Sequence, residues 1–448
     1  MKERPEVLRV ALTQEPQSLD PAQMASLEER LLLQALYRGL VAGDPVEGKP
    51  QPALAARWER SPDGLVYTFY LKPASFFSGR PIGPEDVKYS LTRLVDPAVG
   101  SPWAFLLRNV AGVTAFARGQ APEVEGIRVV GPAAVEITLV QPQADFLASL
   151  ACPAAAIVDR FQVEAAGARF GRPGGWTDSS AVAGGSGPFS LVEWVRGHFL
   201  TLESNRAGDG ASGGPRRVEV RFLESEEAFL AFVAGEVELA LGLDGDGLRE
   251  SAADLQLAAC RRLFPLAGTV ALAWPGGVAG AGAAAAALDR KALVRLLDGL
   301  GQAWDDGRAA WAGPDGQALK EPVELSYPAK GLALYLPPPA TQSLAQGAAA
   351  QLSRALGVKF KARPTAAPNP AGPALVARLA PYQGADWRPA LPEAGPTDGD
   401  RGAGEGQVPL IPLLRPTLAA LVEERVQGFA ISPFGDLDWA ALRLDITN

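Results

Sequence analysis

The sequence predicts an α/β fold divided into more than one domain. Three observations carry this. The chain has 448 residues, too many for one ordinary hydrophobic core, so two or three domains are expected. Residues 50–93 read as turn, strand, loop and helix. Residues 332–336, 342–356 and 358–362 read as a β-α-β unit.

In order, residues 7–12 alternate apolar and polar positions as a strand does, and they run into a loop, Pro16-Gln17-Ser18-Leu19-Asp20-Pro21. Ser26 and Glu29 have capping-box spacing and should open a leucine-rich helix that Gly39 can terminate. Tyr37, near that end, reads as packing. Ser61-Pro62-Asp63-Gly64 suits a type I turn, because proline presets φ at the second position. Residues 66–71 then alternate, with Tyr67, Phe69 and Leu71 on one face. Pro84 fits a first helical position, with Glu85 and Asp86 where the helix dipole favours negative charge. Val87, Leu91 and Leu94 give that helix its apolar stripe.

Residues 124–130 and 133–140 flank Gly131-Pro132 as a hairpin, and residues 161–183 are glycine-rich and turn-prone. Ser225 is expected to cap a helix that Gly235 ends. Residues 269–274 and 375–381 read as strands.

Composition excludes several classes. Hydrophobic residues make up 47% and charged residues 21%, as in globular proteins. The net charge of −8 and pI near 5.1 speak against a nucleic-acid partner. No run of 18 apolar residues is present to span a membrane. Residues 1–8 lack the apolar core of a signal peptide, so for an exported protein the signal segment would lie outside this sequence. Cys152 and Cys260 could pair or sit as small buried thiols, and the second reading is favoured.

Chemistry has little to work with. The single histidine, His198, lies in an alternating stretch beside Gly197 and reads as surface or core. No G-x-S-x-G elbow, phosphate-binding loop or H-E-x-x-H motif occurs. One histidine and two distant cysteines make a zinc or transition-metal site improbable. The adjacent acids Asp305-Asp306 and Glu423-Glu424 read as solvated faces. No catalytic residue, metal ligand or cofactor is expected, and the chain is expected not to be an enzyme.

Residue order adds a resemblance. Residues 54–71 carry L-A-x-x-W-E-x-S-P-D-G-x-x-Y-T-F-x-L, and residues 79–93 carry G-x-P-x-x-x-E-D-V-x-Y-S-L-x-R. Leu36-Tyr37-Arg38-Gly39-Leu40, Ser186-Gly187-Pro188-Phe189, residues 288–294 (LDRKALV) and residues 408–413 with 426–435 fit the same pattern. Together they resemble the family 5 extracellular solute-binding proteins, the dipeptide, oligopeptide and nickel type of receptor for ABC importers. The match runs from about residue 7 to 445 and is patchy from about 258 to 407.

The resemblance implies a two-lobed periplasmic-binding-protein-like α/β fold (type II, cluster C-like), with an extra subdomain in lobe I and a shortened lobe II. Lobe I would take residues 1–45, 184–243 and 408–448, its subdomain residues 46–183, and lobe II residues 244–407. It implies ligand contacts at Ser18, Leu19 and Met24 around the first loop, and at Ser186, Gly187 and Phe189. Trp274, Trp387 and Phe189 would be apolar walls, and Asp386 would hold a peptide's α-ammonium. The tryptophan usual upstream of that aspartate is missing, and Arg388 stands where a second acid is usual. The implied ligand is a short peptide, with permease subunits as partners and a monomer in the periplasm or on the outer face of the cytoplasmic membrane. Alternatives are a receptor-like sensor or interaction protein that has lost transport, or a receptor for another small molecule or a chelated metal.

Overall fold

The computed structural model describes residues 7–44, 49–172, 185–205, 214–243, 255–265, 268–273, 288, 301–303, 323–328, 338–356, 360–365, 374–379, 410–432 and 435–445. Its centre is a 12-stranded mixed sheet. At the heart of one half lies β1 (Val7–Leu12), where the alternation predicts a strand. It pairs in parallel with β10 (Arg217–Phe222) on one side and β11 (Leu239–Leu241) on the other. Beyond β10 come β9 (Phe199–Ser204) and β8 (Phe189–Val195), both antiparallel. Leu8, Val10, Leu12, Leu200, Leu202, Val218, Val220 and Leu239 are fully buried and form its core.

A single 13-residue strand, β18 (Leu410–Val422), runs along both halves of the sheet. Its C-terminal part pairs with β11 and with β12 (Arg261–Pro265). Its N-terminal part pairs with β13 (Gly268–Ala273) and β14 (Gly301–Ala303). The other half continues through β17 (Ala374–Leu379) and β15 (Val323–Pro328) to β16 (Phe360–Thr365). The β-α-β unit is present with a different first strand. The strand parallel to β16 is β15, and residues 332–336, expected there, lie outside the described residues. The connecting helix spans Pro338–Leu356 and starts on the pair Pro338-Pro339, which suits first-turn positions.

A separate four-stranded antiparallel sheet carries the 50–93 block, in the order β4 (Ala55–Arg60), β5 (Val66–Leu71), β7 (Ala134–Thr138), β6 (Ile127–Gly131). The Ser61 carbonyl accepts the Gly64 N–H at 2.9 Å, closing the expected turn, and Gly64 has φ of 74°. Tyr67 and Phe69 are buried, and Tyr67 packs on Phe146 of α4 (Phe146–Ala151) with ring centroids 4.9 Å apart. Helix α2 (Pro84–Leu94) covers this sheet with Val87, Leu91 and Leu94, and the short α3 (Val113–Ala117) follows it. Small ribbons complete the chain: β2 (Val41–Gly43) with β3 (Pro50–Pro52), and β19 (Val426–Gln427) with β20 (Arg443–Leu444).

Two helix ends differ from expectation. Helix α1 (Leu27–Leu36) opens on the expected capping box, Ser26 with Glu29, but stops at Leu36 rather than at Gly39. Tyr37 is already extended, and the Gly187 N–H caps the freed Leu36 carbonyl at 2.9 Å. In α6 (Ser225–Val233) the cap position is Glu224, not Ser225, and the Glu227 carboxylate accepts the Glu224 N–H at 3.3 Å. Cys152 is buried, Cys260 is half-buried, and both are free thiols whose pKa burial pushes up.

Candidate functional site

In parallel sheets, ligands collect beyond the carboxyl ends of the strands, where loops rather than side chains of the core meet solvent. Here β1 and β11 end side by side, with Leu12 opposite Leu241. The segment leaving β1, residues 13–26, is the P-x-x-L-D-P loop, and buried carboxylates hold it in one conformation.

Glu29 is the chief of these. Its Oε1 accepts the N–H groups of Gln17 at 2.8 Å and Ser18 at 3.1 Å. Its Oε2 accepts those of Ala25 at 2.5 Å and Ser26 at 3.2 Å. Burial pushes the Glu29 carboxyl up, and the four backbone donors pull against that. Glu15 takes the Trp194 indole N–H at 3.0 Å and the Gly197 N–H at 3.1 Å, tying the loop to the β8–β9 hairpin.

The subdomain grips the same loop from the other side. Arg93 of α2 makes a bidentate bridge to Asp20, at 2.8 Å and 2.6 Å. The Gln23 amide donates to the Val99 carbonyl at 2.6 Å, and the Trp103 indole N–H donates to the Met24 carbonyl at 2.6 Å. The Leu19 N–H reaches the Gly171 carbonyl at 2.6 Å. Gly171 has φ of 75°, and a Cβ there would collide with the Asp20 backbone.

Glu28 lies at the floor, where α1 begins. Thr13 donates to the Gly242 carbonyl at 3.1 Å, and Glu28 lies beside both. It is buried, and desolvation raises its carboxyl above the ordinary range. The sign of the linkage follows. With the folded pKa above the unfolded value of about 4.3, Glu28 favours folding fully below that value and loses the contribution as pH rises through the folded pKa. Glu28→Gln should therefore match the parent at pH 4 and exceed it in stability at pH 8. Urea midpoints at the two pH values check this. A variant with the same pH dependence as the parent would contradict it.

Not every expected ligand contact reaches a surface. Leu19 and Met24 are fully buried and pack in the core. Phe189, expected as a wall, is also buried, its ring edge-on to Trp439 at 6.4 Å. Gly187 is needed for packing, since a Cβ would strike the Ala35 carbonyl and the Leu36 backbone at the end of α1. Ser186 is buried, and its hydroxyl has no hydrogen-bond partner among the described residues. Ser18 is half-exposed. Trp274, Asp386 and Trp387 lie outside the described residues. Tyr37 is buried as expected, and its phenol is raised by desolvation and by the nearby Asp20 carboxylate. His198 is exposed in the turn between β8 and β9. What residue patterns missed are the long-range anchors Glu15, Glu29, Arg93 and Trp103. Among the described residues, no group of three His, Cys, Asp or Glu side chains could hold a metal, and no helix is long and apolar enough to cross a membrane.

Comparison with known proteins agrees with this architecture. Residues 49–270 match the family model described as bacterial extracellular solute-binding proteins, family 5 Middle. The periplasmic oligopeptide-binding protein OppA of Escherichia coli is 31% identical over 193 residues, which is 42% of this chain and 34% of that protein. A probable D,D-dipeptide-binding periplasmic protein of Escherichia coli, DdpA, is 30% identical over 249 residues, 54% of this chain and 44% of that protein. The chain thus spans about a third to under half of the length of these curated relatives.

Solved structures extend the likeness of fold to the whole chain. That of Haemophilus influenzae OppA in complex with RPPGFSPFR has a TM-score of 0.75 at 17% identity, covering 99% of both chains. The murein tripeptide binding protein MppA of Escherichia coli has a TM-score of 0.74 at 19% identity, covering 98% of both. The fold is therefore the two-lobed α/β fold of periplasmic peptide-binding proteins, and the chain belongs to the bacterial extracellular solute-binding proteins of family 5.

Proposed function

We propose that this protein is the extracytoplasmic receptor of an ABC importer and that it captures short peptides between two lobes. One observation carries the reading: the loop of residues 13–26 is anchored by Glu15, Asp20 and Glu29 at the carboxyl ends of β1 and β11. A loop fixed in advance spares the ordering entropy that a mobile one loses on binding. Backbone groups on such a rim suit peptides of varied sequence, because main-chain hydrogen bonds ignore side-chain identity. The relatives named as oligopeptide- and dipeptide-binding proteins support that ligand class.

In this reading lobe I comprises residues 1–243 and 408–448, with residues 46–183 as its subdomain, and lobe II comprises residues 244–407. Strand β18, paired to both halves of the sheet, is a connection about which they can close. Ser18 serves the first wall, while Trp274, Asp386 and Trp387 serve the second. The protein works as a monomer outside the cytoplasmic membrane, delivers its ligand to permease subunits, and catalyses nothing.

Asp386 is the sharpest test. Asp386→Lys should weaken peptide binding by roughly a hundredfold or more, because a like charge would then face the ammonium. The unfolding midpoint should stay put. Titration calorimetry with a mixed tripeptide pool reads the first and a thermal melt the second. Unchanged affinity would remove Asp386 from the site.

A further inference from the structure

Among the described contacts expected on the first wall, Ser18 is the one that is not buried. Its own N–H is spent on Glu29 Oε1, at 3.1 Å. Its Oγ accepts the Asp20 N–H at 3.0 Å, a local turn of the kind serine side chains make. A serine hydroxyl carries one proton and two lone pairs. The bond from Asp20 fixes the oxygen and leaves the proton to donate, and among the described residues that proton has no acceptor.

Asp20 is in turn held from the subdomain. It is 4% exposed, and its Oδ1 accepts Arg93 Nη1 at 2.8 Å and the Ala22 N–H at 3.0 Å. Its Oδ2 accepts Arg93 Nη2 at 2.6 Å. Phe170, which follows α5 (Arg160–Ala166), backs the guanidinium with its ring centroid 5.4 Å from the central carbon. The next residue, Gly171, packs directly on the Asp20 backbone. Asp20 therefore has one position, and the N–H that it points at Ser18 has one direction.

We propose that Arg93 is a positioning residue for the peptide site: through Asp20 it aims the Ser18 hydroxyl, which donates to a main-chain carbonyl of the bound peptide. The inference rests on the peptide-capture reading, and it gives the subdomain a part in affinity although Arg93 touches no ligand. Every peptide offers carbonyl oxygens, so such a donor adds affinity without reading sequence. A hydroxyl oxygen fixed before binding also spares ordering entropy. Glu29 sits on the Ser18 N–H, so a neutral carbonyl suits the place better than a carboxylate, which would face its charge.

Titration calorimetry with trialanine, run as a double-mutant cycle, tests the proposal. Ser18→Ala should weaken binding about fivefold, the loss of one hydrogen bond. Arg93→Lys keeps the charge but loses the two-pronged grip, and it should weaken binding by about as much. The double variant should bind no more weakly than Ser18→Ala, because the aim is irrelevant once the hydroxyl is gone. A purely structural Arg93 would lower the thermal midpoint and cost the same affinity, or none, in both backgrounds. Unchanged affinity in Arg93→Lys, or losses that add, would overturn the inference.

Hydrogen exchange at the Asp20 amide, the donor to Ser18 Oγ, gives a readout that needs no peptide. It should accelerate in Arg93→Lys, and unchanged exchange would also overturn the inference. Accelerated exchange in a protein whose parent binds no trialanine would count against peptide capture and uphold the aiming of Ser18 by Arg93.

Discussion

Asp436→Ala is expected to destabilise the protein by about 3–5 kcal/mol, because it removes the acid of a buried ion pair. Arg30 is 2% exposed, and its Nε and Nη2 reach Asp436 Oδ1 at 2.8 Å and 2.6 Å. Gln34 donates to the same oxygen, and the Ser432 hydroxyl donates to Oδ2 at 3.0 Å. The bridge fastens residues 435–440 over α1, where the Trp439 indole N–H also meets the Leu31 carbonyl at 2.7 Å. Removing the acid leaves a buried guanidinium with its carboxylate partner gone. Replacing both partners by apolar residues, Arg30→Met with Asp436→Leu, should recover much of the loss. Denaturant midpoints at unchanged slope measure both. A loss below about 1 kcal/mol in Asp436→Ala would show that the bridge is not what holds this segment.

Glu29→Gln tests the anchored loop with an almost isosteric change. A carboxylate accepts at both oxygens, whereas an amide accepts at one and donates at the other. Whichever way the amide turns, two of the four N–H groups from Gln17, Ser18, Ala25 and Ser26 face a donor. With each abandoned donor worth about 1–2 kcal/mol, the expected loss is about 2–4 kcal/mol. Peptide affinity should fall roughly tenfold, since the loop would then be ordered only on binding. Hydrogen exchange at these four amides should accelerate with it. Exchange and affinity both unchanged would mean that Glu29 does not set the loop.

The local elements were legible because their causes are local. Ser26 and Glu29 are three residues apart, Pro84 opens its helix in place, and the 66–71 alternation is the strand itself. The cap of α6 was misplaced for a similar reason. Serine is the commoner cap, yet Glu224 and Glu227 stand at the same spacing one step earlier.

The anchors of the site were not legible. Glu15 meets Trp194 179 residues away and Arg93 meets Asp20 73 residues away, and no period or spacing encodes such partners. Glu29 read as half of a capping box, and nothing in that motif says that its carboxylate serves three further amides. Phe189 could be wall or core by its residue type, and packing against Trp439 decides for core.

The central claim, peptide capture, is tested most directly by native mass spectrometry of freshly purified protein set against its denatured mass. The account predicts a heterogeneous excess of a few hundred daltons that sequences as short peptides. A single discrete excess mass that is not a peptide would contradict it.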